Sequence, residues 1–540
     1  MHMKRYKKYI LAAALMAQAG TLVGQEFNSA YFTDDFKYRH QMNPAYGNSQ
    51  GYAAIPVIGN LNLQLQGSLG VGDFFFKNPD YGIKAGAKKT TTFMHPGISV
   101  EDALKGFKKG ANALLMDMDL NIASVGFNAF NGYNTVELKD RTHFGLSMPY
   151  DFFLFAKDMK NQDYSFDDMG LRAWNYVELA FGHSRKVFDN LRVGAKVKLL
   201  FGAAHAEMTV NNLHANLTGN QWIVEGQVRG ELNMKGATFK EKDVEYKTRP
   251  GTFRQVDGID VKNPGLTGFG LGFDLGGIYE FKDCPAEWLN GLKVSLAVTD
   301  LGFISWSNGI VAESSGTPFQ FDGFNNFDVK SGDDRQTLGD EIKGYGDKLK
   351  DFYHLENKGG GNSHTNALAA TLRFGLEYPL PVYDRLTFGS LLTRRFDGKY
   401  SWIEERVSAN IHPLDWLDGG INVAFTSFCT TMGWVLNFHP KGINLFFGMD
   451  HMIGKTGAKM IPLDSNFSFN VGLNVAWGGK KKSSKELKTL TFWRMPDPEA
   501  QDRSAQETQK PATEKKQQSA TDNTGKNQQP DSSGQKSKEN

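Results

Sequence analysis

The chain has 540 residues, enough for one large barrel or several ordinary domains. Its 61 basic and 59 acidic residues leave a net charge of +2, without the clustered basic excess of a nucleic-acid-binding protein. A mean hydropathy of −0.43 excludes a helical membrane protein, and beyond the N-terminus no apolar run reaches the ~18 residues that a spanning helix needs.

The N-terminus has the composition of an export signal. Basic residues at positions 4, 5, 7 and 8 precede a short apolar stretch at residues 10–16. Ala17-Gln18-Ala19 offers a small-x-small cleavage site, and cleavage nearer Gly24 is an alternative. We therefore predict that residues 1–24 are a signal peptide.

Strict alternation of apolar and polar residues predicts β-strands. Between residues 191 and 201 the odd positions are apolar, whereas Arg192, Lys196 and Lys198 occupy even positions. A period of two is the signature of a strand with two different faces. The pattern recurs about 16 times, although 14 strands fit as well. We predict an all-β protein, an antiparallel up-and-down β-barrel of about 14–16 strands over residues 61–479.

The lengths of the connections support this topology, because short and long connections tend to alternate. Short periplasmic turns and long outer loops are typical of outer-membrane barrels. Two other stretches, residues 100–109 and 152–160, are predicted to be helical. The short connections are residues 188–190, 379–385, 413–419 and 439–442, and the longest are residues 235–262 and 303–365.

The apolar strand faces are predicted to contact lipid. A closed soluble barrel of this width would enclose an apolar interior that its side chains could not fill. The opposite orientation would put Lys196 and Lys198 into lipid, at about 2–4 kcal/mol each near the midplane. We predict a transmembrane barrel in a bacterial outer membrane with both termini in the periplasm; two soluble β-sandwiches in series are the alternative. The side chains predicted to face the lumen are Arg192, Lys196, Lys198, Asn470 and Asn474.

The C-terminal end is a polar, low-complexity tail. After Trp493 the chain has no Phe, Tyr, Trp, Ile, Leu or Val. Such a segment cannot bury enough apolar area to offset the entropy of ordering it, so it is predicted to be disordered. We assign residues 480–540 to a periplasmic tail. A tether or a site for a periplasmic protein partner is one interpretation, and a solvated tail without a fixed partner is favoured over it.

Four stretches of the chain resemble a known family. Together they are similar to a Bacteroidetes outer-membrane family of unknown function, the domain-of-unknown-function 5723 group, over most of the mature chain before the tail. More loosely, the chain resembles fatty-acid-transporter-type barrels, which take up long-chain fatty acids, and barrels linked to type IX secretion. The stretches are residues 27–45, 93–100, 268–276 and 298–306.

The resemblance to the fatty-acid transporters implies a role for Asn43, Pro44 and Ala45. In that family an Asn-Pro-Ala element belongs to a plug near the lumen, so these three residues are expected to help block the barrel. Residues 25–60 are accordingly expected to form an N-terminal plug-like segment. The polar tail departs from those barrels, which typically stop after their last strand. The family of unknown function implies no activity.

No catalytic residue, cofactor or metal ion is predicted. The glycine-rich stretch 268–276 alternates with apolar residues straight through, so it is a strand rather than a phosphate-binding loop. His-Glu-x-x-His does not occur, and no Gly-x-Ser-x-Gly nucleophile elbow is predicted. An acidic stretch within residues 333–341 has carboxylates that suit Ca²⁺, and a solvated loop is favoured there. Cys284 and Cys429 are predicted to lie at opposite ends of the barrel, which forbids a disulfide.

The leading functional hypothesis is passage of hydrophobic small molecules across the outer membrane. It rests on the strand pattern and the Asn-Pro-Ala element. The alternative is a non-enzymatic scaffold for secretion or surface assembly, with the tail reaching a periplasmic protein. A lipid-directed barrel enzyme has no supporting motif. The expected partners are outer-membrane lipid and a hydrophobic small molecule, and no nucleic acid is expected.

Overall fold

The computed structural model describes residues 26–158, 163–218, 221–246, 249–314, 319–320, 355–452 and 466–478. The predicted signal peptide, the C-terminal tail and the acidic stretch 333–341 lie outside the described residues. Among the residues that are described, none of the helices is long and apolar enough to cross a bilayer.

The described residues lie mostly in β-strands, and they include four short helices and three 3₁₀ turns. The helices are α1 (Arg39–Met42), α2 (Val71–Phe74), α3 (Val100–Leu104) and α4 (Tyr150–Lys157), and the 3₁₀ turns are Asn28–Ala30, Glu287–Leu289 and Gly398–Tyr400. The strands are β1 (Gln50–Ala54), β2 (Leu61–Gly67), β3 (Phe75–Lys77), β4 (Thr90–Thr92), β5 (Ala111–Ala129), β6 (Gly132–Pro149), β7 (Asp163–Ser165), β8 (Gly170–Phe188), β9 (Leu191–Thr218), β10 (Gln221–Met234), β11 (Ala237–Tyr246), β12 (Arg249–Val261), β13 (Gly268–Glu280), β14 (Lys293–Ser314), β15 (Phe319–Gln320), β16 (Leu355–Ala367), β17 (Thr371–Leu380), β18 (Tyr383–Arg395), β19 (Trp402–Leu414), β20 (Leu417–Thr426), β21 (Thr430–Phe438), β22 (Ile443–Met449) and β23 (Phe467–Gly478).

One antiparallel sheet closes on itself to form the barrel. It contains 19 strands, and because several of them share a place in the wall the result is a closed 14-strand barrel. β1 and β2 both lie between β5 and β23, which closes the wall. β10 and β13 both lie between β9 and β14, and β16 and β17 both pair with β14. β7 and β15 extend the positions of β8 and β14.

The strand number agrees with the lower end of the predicted range, for a physical reason. The repeats at residues 191–201 and 205–217, which count as two strands in the sequence pattern, are one 28-residue strand, β9. Likewise, β10 and β13 occupy one wall position, with the hairpin of β11 and β12 inserted between them. Barrel strands need only about 9–11 residues to cross a membrane, so these strands extend the wall beyond it.

The outer face of the wall carries a belt of exposed apolar side chains. Phe181, Val197, Phe273 and Leu301 are successive partners on four neighbouring wall positions. Their exposed fractions are 47%, 43%, 47% and 39%. Exposed apolar side chains in a continuous band around a closed wall suit contact with acyl chains. The predicted fold class, a transmembrane β-barrel, is therefore confirmed.

The connections differ between the two ends of the barrel. Two to four residues join β8 to β9, β17 to β18, β19 to β20 and β21 to β22 at one rim, where β1 begins opposite Gly478. The opposite mouth carries the connection from β2 to β5, with α2, β3, β4 and α3, and that from β6 to β8, with α4. Cys284 and Cys429 are free thiols, as predicted.

Replacing a belt residue by arginine should destabilise the barrel according to its depth. Val197 lies in the middle of the outward apolar positions of β9, whereas Val187 lies next to the short-turn rim and is 47% exposed. We expect Val197→Arg to lower the free energy of unfolding by about 2–4 kcal/mol and Val187→Arg by about 0–1 kcal/mol. Guanidinium unfolding in phospholipid vesicles measures both values. Equal losses for the two variants would contradict the lipid-facing belt.

Candidate functional site

The interior of the barrel is occupied by residues 26–49, named here the N-terminal segment. Apart from Asp34 and Asp35, residues 26–46 are all buried. The segment has few internal backbone hydrogen bonds of its own, so its position depends on contacts with the wall. Its hydrogen-bond partners lie on strands around the wall: Glu137 on β6, Ser295 on β14, Asn474 on β23, and Asp450 directly after β22.

Aromatic side chains form the core of this arrangement. Phe27 and Phe36 of the segment pack against Phe446 of β22, with ring centroids 6.4 Å and 4.8 Å away. Tyr38 packs against Tyr52 of β1, the strand that follows the segment, with 5.2 Å between the ring centroids. All five side chains are buried. The segment therefore fills the space that inward side chains of a 14-strand wall leave open.

Two buried ion pairs also fasten the segment to β17. Arg373, which is 1% exposed, binds Glu26 at 2.7 Å. Arg39 lies 3.6 Å from Glu377 and 3.7 Å from the centroid of the Tyr46 ring. Breaking a buried ion pair by removing one partner costs about 3–5 kcal/mol, because the other charge stays buried. These pairs therefore favour the occupied state of the barrel.

Asn43, Pro44 and Ala45 lie in this segment, against a groove made by two glycines. The Asn43 side-chain oxygen accepts a hydrogen bond from the Ala45 N–H at 2.9 Å, which folds the backbone into a tight turn. Gly194 of β9 and Gly276 of β13 are register partners. A Cβ at Gly194 would overlap the Pro44 carbonyl group, and one at Gly276 would overlap the Asn43 side chain. The wall thus accepts the Asn-Pro-Ala turn only because both positions lack side chains.

The five side chains predicted to face the lumen lie in two kinds of surroundings. Three contact the segment: Arg192 donates to the Ala45 carbonyl at 2.8 Å, the Lys196 ammonium lies 3.5 Å from His40, and Asn474 accepts from Tyr38 at 2.6 Å. The other two contact the wall: Lys198 binds Asp274 and Asp300 at 2.7 Å and 2.6 Å, and Asn470 is buried on β23.

A row of ionisable side chains points into the barrel from β6. Its inward positions carry Glu137, Lys139, Arg141 and His143 in succession, since every second residue of a strand faces the same side. A charge buried away from water is tolerated only when it is paired. The partners are Lys196 for Glu137 (2.7 Å), Glu178 for Lys139 (3.2 Å), Asp119 for Arg141 (3.0 Å) and Asp117 for His143 (2.6 Å).

A small cavity lies among these charges. Its volume is about 20 Å³, room for about one water molecule. It is too small for a hydrophobic ligand, and its lining is mostly charged. The lining includes Asp117, Asp119, Arg141, His143, Asp300 and Arg395, beside Trp174 and Tyr176.

At the other mouth the long connections pack around an aromatic cluster. Phe74, Phe93, Phe107 and Phe153 all contact one another, with centroid distances of 3.9–6.4 Å. Lys157 at the end of α4 donates a hydrogen bond to the backbone carbonyl of His95 at 2.7 Å, which joins the β6–β8 connection to the β2–β5 connection. Burial lowers the pKa of this lysine. The cluster gives the connections at this mouth an apolar core.

The chain is similar to a known family and to several solved structures. A family model described as "Family of unknown function (DUF5723)" matches residues 44–450. No curated protein matches. Among solved structures, the toluene transporter TbuX of Ralstonia pickettii is 9% identical, covering 85% of this chain and 96% of its own, with a TM-score of 0.36. A Pseudomonas aeruginosa FadL homologue is 11% identical at the same coverage and TM-score. The translocator domain of the autotransporter NalP from Neisseria meningitidis is 9% identical, covering 87% of this chain and 99% of its own, with a TM-score of 0.31.

A side chain in the glycine groove should displace the N-terminal segment. We expect Gly194→Ala to increase hydrogen exchange of backbone amides in residues 43–46, because the added methyl group meets backbone atoms that cannot rotate away. Gly277 faces outward, and a Cβ there would meet only the Arg192 carbonyl oxygen, at 4.0 Å, so Gly277→Ala is the matched control. Exchange measured by mass spectrometry in detergent micelles tests this. Unchanged protection in Gly194→Ala would contradict the groove's role.

Proposed function

This chain belongs to the Family of unknown function (DUF5723), and we propose that it is an outer-membrane passage for hydrophobic small molecules that its own N-terminal segment closes. The observation that carries the proposal is the occupied interior. A barrel of this width is not filled by inward side chains alone. Here the filling element is a stretch of chain that takes no part in strand pairing before Gln50, so it can move without opening the wall.

The aromatic cluster at the mouth supports the choice of substrate. A hydrophobic molecule arriving at the membrane surface gains free energy by leaving water for an apolar surface. Phe107 and Phe153 stack at 3.9 Å within the long connections and are buried there, so a ligand would reach this apolar surface only when those connections move apart. Binding there would precede movement of the N-terminal segment. We propose further that the short-turn rim, where β1 begins, faces the periplasm, as short turns do in outer-membrane barrels.

Weakening the attachment of the N-terminal segment should increase passage. Glu26→Gln removes the charge that neutralises Arg373 and leaves that guanidinium buried without its partner. Displacing the segment would let water reach Arg373, so the open population should rise, about tenfold for each 1.4 kcal/mol lost from the closed state. We expect faster influx of the hydrophobic dye N-phenyl-1-naphthylamine into cells that produce the variant than into cells that produce the wild-type protein.

The matched control removes an ion pair that does not touch the segment. Glu280 binds Lys282 at 2.8 Å on the surface, and Glu280→Gln should leave influx unchanged. Cells without the protein give the baseline, and a hydrophilic β-lactam hydrolysed in the periplasm reports any unselective hole. Dye influx that is equal with and without the protein, for both wild type and Glu26→Gln, would contradict the proposal.

A second candidate is a static scaffold for secretion or surface assembly. The paired charges of β6 favour it, because they lock the interior rather than leave a route through it. In this function the polar residues 494–540 would bind a periplasmic protein. Capture of the same protein by the full chain but not by a chain ending at residue 493, together with no dye influx, would favour the scaffold over the passage.

A further inference from the structure

Two histidines and a glutamate from distant parts of the chain meet inside the outer part of the wall. His205 and Glu207 lie two residues apart on β9, so they share a face of that strand. His364 lies on β16, three wall positions away, with β10 and β14 between them. The three side chains each offer a ligand atom, and these atoms lie within 4.8 Å of one another.

A β-bulge brings this pair inward. On the N-terminal side of the bulge, the even-numbered residues of β9 face inward, as Lys196 and Lys198 do. The pairing of β9 with β8 shifts between Asn175 and Tyr176, so one additional residue of β9 is inserted opposite them. An inserted residue exchanges the two faces of a strand. The odd positions His205 and Glu207 therefore face the interior above the bulge.

Hydrogen bonds orient both imidazole rings in the way that metal ligands require. Nδ1 of His205 lies 3.2 Å from the Asn233 side-chain oxygen, and Nδ1 of His364 lies 2.7 Å from a Glu231 carboxylate oxygen. Because both partners accept, each Nδ1 carries the proton and each Nε2 has a free lone pair. Carboxylate or carbonyl groups behind a histidine are the usual support of a metal-binding imidazole.

The two Nε2 atoms have no partner within the described residues. Both are buried, and neither makes a hydrogen bond there. His205 is fully buried. A buried polar atom without a partner costs free energy, so an unexplained pair of them, 4.8 Å or less from a carboxylate, points to a missing ligand.

We propose that His205, Glu207 and His364 bind one divalent transition-metal ion, of which Zn²⁺ fits best. Two imidazole nitrogens and a carboxylate oxygen are a common zinc donor set, and a water molecule completes a tetrahedral site. Ligand atoms at about 2.0–2.1 Å from zinc lie about 3.4 Å apart. Separations of up to 4.8 Å therefore close by at most about 1.4 Å on binding, within reach of side-chain rotations.

The surroundings suit a bound cation. The indole of Trp306, which is 0% exposed, stacks on His205 at 5.2 Å and shields the site from water. The nearby positive charges are both paired: Arg172 of β8 with Asp397, and Arg229 of β10 with Glu231 and Glu313. Glu207, as a ligand, and Glu231, as the partner of His364, supply negative charge to the site. An ion held here would link β9 to β16 across the two wall positions between them, and so would brace the wall beyond the membrane.

Zinc binding by the full mature protein tests the proposal. The metal-free protein without a polyhistidine tag is titrated with ZnCl₂ in detergent micelles by calorimetry. We expect one saturable site whose affinity falls at least tenfold in His205→Ala and in His364→Ala. Glu231→Gln should weaken binding by about 10–100-fold without removing a ligand, because it only alters the support of His364. Folding of each variant is checked by circular dichroism.

Control variants distinguish this site from others. Asp35, Asp418 and His439 form another trio near the short-turn rim, and His183 is a histidine on β8 that bonds Asn134. His439→Ala and His183→Ala should bind zinc like the wild type. Wild-type protein without saturable binding, or binding that persists in His205→Ala and His364→Ala, would overturn the proposal, as would binding lost only in His439→Ala.

A second measurement does not depend on variants. X-ray absorption at the zinc edge of the wild-type protein, loaded with one equivalent, should show scattering from two imidazole rings and a first shell near about 2.0 Å. A spectrum without imidazole scattering would overturn the proposal even if the alanine variants fail to fold.

Discussion

The structure depends on the pairing of charges that a two-residue period turns inward. A strand that exposes apolar side chains to lipid must send the alternate, polar ones into the barrel. On β6 and β9 these include lysine, arginine and glutamate, and each needs an opposite charge close by. The pairs Glu137–Lys196 and Lys139–Glu178 therefore fasten β6 to β9 and to β8 on the inner side of the wall, and the N-terminal segment joins the same set through His40 and Gln41.

Much of the fold follows from alternation alone. The sequence predicts a lipid-facing barrel, the rim with short connections and helices near residues 100 and 152, because each depends on local pattern. The overcount of strands comes from two places where the local pattern stops. At Gly202–Ala204 small residues and a bulge reverse the faces of β9, which resembles a break between strands. At residues 235–267 an inserted hairpin separates β10 from β13, although both continue one wall position.

The site is less accessible from sequence, since it depends on register. Asn43, Pro44 and Ala45 come from a family resemblance, whereas the partnership of Gly194 with Gly276 requires knowing which residues of β9 and β13 are opposite. The same holds for metal ligands. His205 and Glu207 carry a usable signal, because residues two apart on a strand share a face, but nothing local indicates that His364 is their neighbour.

The attachment of the N-terminal segment to β1 has a consequence for assembly. β1 and β2 pair with β23, so the first and last strands close the wall, and Tyr38 is hydrogen-bonded to Asn474 of that last strand. Because β1 follows the segment directly, the pairing of β1 with β23 that closes the wall also brings the segment to the barrel interior. Sealing the cylinder and supplying its filling are therefore coupled, and both wait until the last strand is available.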